Sequence, residues 1–279
     1  MTPPPTSADR APGREGVFAK LRQKAVEAYY LVEDFFPRLR NGSAWLRILR
    51  LPNLLTVPGD VLAGFLLAPA ARPADWLQLL PALLAGLGLY SAGLLLNDLF
   101  DYAEDLRERP TRPLPAGEIS REAVAAAALV LLWVAAFLAA FFDALPLALP
   151  LILCIILYDV GGKRSPWFGP ALMGASRAGN LLLGAAAARP GLAFSFAPAA
   201  AALLLGLFVA GVTHLARRET RPGTAFPPER IGRLLGGLIP LQALFCVAAI
   251  HRFPANLLGL ALLPLQNLHR RLSVRFPPS

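Results

Sequence analysis

Residues 97–120 read NDLFDYAEDLRERPTRPLPAGEIS and begin where a long apolar run ends. Asn97, Asp98, Asp101 and Asp105 stand at i, i+1, i+4 and i+8. If the helix continues through them, a period of about 3.6 residues carries Asp98, Asp101 and Asp105 to one side. Three carboxylates converging at a membrane surface repel one another unless they share a cation, and the hard ion suited to both carboxylate and phosphate oxygens is Mg²⁺. A solvated helix end followed by a basic loop is the competing reading, but acids at a helix C-terminus also oppose its macrodipole.

The rest of the chain fits a membrane setting. Its 279 residues are 56% hydrophobic and only 16% charged, more apolar than a soluble core needs. The formal charge of +9 does not point to nucleic acid, because the basic residues alternate with apolar runs and form no nucleic-acid motif. Cys154 and Cys246 sit inside apolar runs and read as small core residues. The sequence before Leu51 has no apolar segment with a cleavage site, so no cleavable signal peptide is expected. Residues 1–16 read as a disordered tail, 17–44 as an amphipathic cytoplasmic or interfacial helix, and 45–279 as a transmembrane domain.

With about 20 helical residues needed to cross the bilayer, spans are expected near 52–70, 77–98, 122–142, 144–160, 169–188, 193–215, 231–251 and 254–269. The loops between them divide by charge. Arg72, Arg189 and Arg252 fall on one side, while Arg107, Arg109, Arg112, Arg121, Lys163, Arg164, Arg217, Arg218, Arg221, Arg230 and Arg233 fall on the other. By the positive-inside rule the second side is cytoplasmic, and both termini and the aspartates lie there.

At residues 97–105 the chain resembles the UbiA superfamily of membrane prenyltransferases, whose first aspartate motif has the form NDxxDxxxD. All four positions are filled, and residues 109–117, RPTRPLPAG, are similar to the Arg/Pro-rich loop that follows the motif. The resemblance implies an all-α membrane fold, a bundle of eight or nine transmembrane helices around a cavity. It also implies a cytoplasmic-membrane enzyme in which Mg²⁺, held by Asp98, Asp101 and Asp105, binds an isoprenyl diphosphate for transfer to an unidentified acceptor. Asn97, Arg109 and Arg112 would assist binding. Tyr158 and Lys163, which end the fourth span beside Asp159, resemble the family's diphosphate-contacting Tyr and Lys. Residues 157–184 and 52–64 resemble in particular the EboC-type branch.

Polar groups inside spans are costly and usually face a bundle interior. Asn53 and Asp60 share the first span, and Arg177 and Asn180 share a face of the fifth. The Arg177 guanidinium needs an anion, either Asp60 or a ligand diphosphate, and the ligand site is the preferred reading. The chain departs from the family after the sixth span, where a second aspartate motif is usual but THLARRET stands at residues 213–220. Arg217 and Arg218 are expected to neutralise phosphate there in place of a metal. A lone His214 reads as structural. The missing motif also supports an alternative, a non-catalytic isoprenoid or lipid binder that kept the fold.

Overall fold

The computed structural model describes residues 42–69, 73–219 and 228–275, together with Gln23. The expected tail at 1–16 and nearly all of the amphipathic segment at 17–44 lie outside the described residues. What is described is all-helical. Helix α1 (Gly42–Ile48) leads through α2 (Leu51–Leu54) to α3 (Val57–Leu67), and a short 3₁₀ segment then enters the long α4 (Leu79–Phe100). After α5 (Tyr102–Glu108) come α6 (Arg121–Ala140), α7 (Leu145–Val160), α8 (Phe168–Ala188) and α9 (Phe196–Glu219). The chain closes with α10 (Pro228–Gly236), α11 (Leu238–Ala248) and, past two 3₁₀ segments, α12 (Leu263–Arg275).

Three stretches, Trp76–Phe100, Arg121–Ala140 and Phe196–Arg217, are long and apolar enough to cross a membrane. Their outward faces carry large apolar side chains such as Leu84, Trp133, Phe137 and Leu203, as a lipid contact requires. Helix α8 has 21 residues but carries Ser176, Arg177 and Asn180, and it lies in the middle, packed on α3, α7 and α9. Small residues make that packing close. A Cβ added to Gly64 would strike the Leu181 backbone, and one added to Gly184 would strike that of Val61. Helices α3 and α8 therefore touch backbone to backbone.

Helical segments lie at all eight expected positions, and three of them differ in form from a single apolar helix. The first is split, because Pro58 near the start of α3 lacks the N–H that would continue the helix from α2. Arg50, at φ 47°, separates α1 from α2. The seventh breaks at Gly237 between α10 and α11, and the eighth begins as a 3₁₀ segment, Ala255–Leu262, before α12.

Residues 109–120 are not a free loop. Leu114 and Ile119 are 2% and 1% exposed and join Ala44, Ile48, Leu95 and Val124 in a second apolar cluster below the main core. Gly117 takes φ 71°, a conformation that favours glycine, at the turn back towards α6. Ser120 then caps α6 by accepting from the Ala123 N–H at 3.2 Å. An Arg47–Glu118 ion pair ties α1 to this turn. The basic segment is thereby pressed against the end of α4 that carries the aspartates.

Candidate active site

A cavity of about 110 Å³ opens between α4, α7 and α8. Its apolar lining comes from Leu89, Gly93, Leu94, Leu151, Ile155 and Met173. Its polar lining includes Arg50, Asn97, Tyr158 and Asp159, close to the aspartates, and Tyr90, Ser176, Arg177 and Asn180, farther along α4 and α8. Such a cavity suits a molecule with a charged head and a hydrocarbon body.

The aspartates stand beside the first of these polar groups. The helix does not run through them unbroken: α4 ends at Phe100, and Asp101 forms the junction with α5. Near-helical bonding persists across it, since the Asp101 N–H donates to Asn97 O at 2.9 Å and the Asp105 N–H to Asp101 O at 2.8 Å. Each carboxylate faces a base from elsewhere. Arg50 Nη2 lies 3.0 Å from Asp98 Oδ1, Lys163 Nζ 2.6 Å from Asp101 Oδ1, and Arg112 Nη1 2.7 Å from Asp105 Oδ2. Arg109 adds a longer contact to Asp105 at 3.7 Å. Like-charge repulsion among the acids is thus relieved by the protein's own cations.

The donor set suits Mg²⁺ in kind, with hard carboxylate oxygens and the Asn97 side-chain carbonyl. Among the described residues, no three acidic, His or Cys side chains stand close enough to hold one ion as placed. A metal bound there would have to displace bases from the acids. Those same bases then become available to phosphate oxygens, which is the partner exchange a metal–diphosphate site needs.

Arg177 behaves differently from the preferred reading. Its Nε and Nη2 lie 2.9 and 3.1 Å from the two Asp60 oxygens, and Nη2 also donates to Thr56 O at 2.8 Å. Gln242 donates to the same Asp60 and Thr56 acceptors, each at 2.6 Å. Asp60 is fully buried and away from the cavity wall, so it holds Arg177 in place while Arg177 and Asn180 line the cavity. Asn180 Oδ1 is buried there without a hydrogen-bond partner. Asn53 lies off the cavity, where its backbone carbonyl accepts from the Thr56 hydroxyl at 2.7 Å.

Arg217 also departs from expectation. Its Nη1 and Nη2 donate to the carbonyls of Ser165 and Lys163, at 2.5 and 2.6 Å, so the guanidinium grips the loop that carries Lys163. His214 reinforces the grip, stacking on Trp167 at 4.6 Å and meeting Pro166 O at 3.3 Å. The Arg218 side chain lies outside the described residues. Three contributors were missed in the sequence: Arg50, which reads as an ordinary basic residue before a span; Tyr90; and Gln242. Gln242 did carry a signal, as a polar residue inside an apolar run.

A model of the UbiA prenyltransferase family matches residues 60–263, and the chain belongs to that family. Digeranylgeranylglyceryl phosphate synthases of Methanobrevibacter smithii and Methanoregula boonei are each 35% identical over 92 and 98 residues, 33% and 34% of this chain and 31% and 35% of theirs. The chain thus matches about a third of the length of these curated relatives. Among solved structures, a digeranylgeranylglyceryl phosphate synthase superposes with TM-score 0.52 at 17% identity, over 84% of this chain and 88% of that one. A UbiA homolog from Archaeoglobus fulgidus bound to DMAPP and Mg²⁺ gives 0.50 at 18%, with the same coverage. An apo homolog from Aeropyrum pernix K1 gives 0.51 at 17%, over 80% and 90%. These similarities establish an integral membrane protein with the UbiA fold. They specify no branch, so the EboC-type placement is not carried further.

Proposed function

We propose that the chain transfers an isoprenyl group from an isoprenyl diphosphate to an acceptor, with Mg²⁺ required. The observation that carries this is the acid and base cluster beside a cavity whose lining is otherwise largely apolar. The Archaeoglobus homolog with DMAPP and Mg²⁺ supports it as a relative of the same fold.

Asp98, Asp101 and Asp105 would hold the ion, which when bound supplies positive charge against the departing diphosphate. Arg50 and Lys163, released from their acids, hold phosphate oxygens by charge-assisted bonds, and Tyr158 donates one more. Arg109 and Arg112 add positive charge beside Asp105. Leu89, Leu94, Leu151 and Ile155 take the hydrocarbon and exclude water. The bond between C1 of the isoprenyl group and the bridging oxygen breaks with its electron pair going to diphosphate. The allylic cation is protected by the dry wall until a nucleophilic atom of the acceptor bonds to C1 and releases its proton. Arg177 and Asn180 face the acceptor's polar groups.

From the loop charges we read this end of the bundle, with both termini, as facing the cytoplasm across the cytoplasmic membrane. The test is to incubate purified protein with isoprenyl diphosphates of several lengths and Mg²⁺ and to score diphosphate release with and without candidate acceptors. Asp101→Asn, which keeps shape and removes charge, is expected to lower turnover about a hundredfold. Wild-type turnover in that variant at limiting Mg²⁺ would reject the metal assignment, and tight binding without any turnover would favour a non-catalytic isoprenoid binder.

A further inference from the structure

We propose that Asp159 is a divalent-cation ligand of this chain, completing with Asp101 and the Asn97 side-chain carbonyl an oxygen cradle that the Lys163 ammonium now fills. This deepens the proposed function by adding a ligand from a second helix to the aspartates of α4 and α5.

Asp159 ends α7 and lines the cavity, yet it is only 3% exposed. Neither of its carboxylate oxygens has a hydrogen-bond partner. A buried carboxylate without such bonds is costly unless a cation stands close. Among the described residues its one ion pair is long, 3.7 Å from Oδ1 to Lys163 Nζ. The same Nζ lies 2.6 Å from Asp101 Oδ1 and 3.4 Å from Asn97 Oδ1. One positive charge therefore sits among three hard oxygens drawn from two helices. Asp101 holds it tightly, while Asp159 and Asn97 stand too far away to satisfy it well. Mg²⁺ binds oxygens at about 2.0–2.1 Å and attracts two carboxylates more strongly than a single ammonium does. It would draw Asp159 towards Asp101 and release Lys163 to a phosphate oxygen.

The surrounding elements favour this arrangement. Helix α9 sends Arg217, a base, to the loop behind Lys163, so the carboxylate opposite Asp101 comes from α7. Two carboxylates and one amide oxygen leave positions for water and phosphate oxygens, as Mg²⁺ sites usually do.

The experiment uses the full chain in detergent, with Mn²⁺ alone as probe and bound ion counted by electron paramagnetic resonance, then repeated with inorganic pyrophosphate. Asp159→Asn should weaken Mn²⁺ binding about tenfold, and Asp159→Glu should keep most of it. Lys163→Gln should tighten Mn²⁺ binding severalfold by removing the competing ammonium, and adding Asp159→Asn to that variant should abolish the gain. If Asp159→Asn does not fold, Asp159→Ser in the Lys163→Gln background answers the same question. Mn²⁺ binding that needs Asp101 but is the same with and without Asp159 would overturn the inference and leave the proposed function standing. Loss of prenyl transfer in Asp159→Asn with unchanged Mn²⁺ binding would also overturn it, by pointing to a role towards the acceptor. Absence of bound Mn²⁺ in every variant and in the wild type, even with pyrophosphate, would sink the metal-dependent reading itself.

Discussion

Asp60 and Arg177 show how two charges persist inside a membrane bundle. A guanidinium in that setting is tolerated because Asp60 Oδ1 and the Thr56 carbonyl accept from its Nη2, its Nε lies 2.9 Å from Asp60 Oδ2 as an ion pair, and Gln242 donates to the same Oδ1. Removing one member leaves the other as an uncompensated buried charge. Asp60→Ala is therefore expected to cost about 3–5 kcal/mol, read as a large drop in the detergent melting temperature. Arg177→Lys should also destabilise, because an ammonium cannot bridge both carboxylate oxygens in the same plane. A melting temperature unchanged by Asp60→Ala would mean that Arg177 finds its anion elsewhere.

At the scale of elements, the end of α9 holds a loop of the site through Arg217. Arg217 and His214 fasten residues 163–167 to α9, and that segment presents Lys163 to Asp101. If Arg217 works through Lys163, Arg217→Ala and Lys163→Ala should each weaken pyrophosphate binding, and the double variant should be little worse than Lys163→Ala alone. Additive losses would show instead that Arg217 touches phosphate itself. Close packing of α3 on α8 serves the same site from the other side, since it brings Asp60 to Arg177 across a glycine contact.

For the whole molecule, the bases cluster at the end where α4 stops and α9 arrives, whereas Arg252 at the opposite end is largely buried and donates to Ala68 O at 3.1 Å. A reporter fused after Arg189 is expected to be found outside the cytoplasm, and reporters at both termini inside it. Reversed results would place the site mouth away from a cytoplasmic substrate supply.

The sequence by itself determined the membrane class, the approximate helical segments and the positions of the acids and bases in residues 97–117, because hydropathy and short motifs are local properties. The acid positions, the basic segment after them and the Tyr158–Lys163 pair all belong to that local information. Only the tertiary structure decided which base meets which acid. Arg50 reaches Asp98 across 48 positions of sequence, and Asp60 meets Arg177 across 117. Nothing local encodes such pairings. Helix facing was hidden for a related reason: on α4, Leu84 is 49% exposed and Leu89 only 2%, yet both are leucine. Lipid and protein core are equally apolar, so a membrane helix need not mark its inward face by hydrophobicity, and packing settles which side chains reach the cavity.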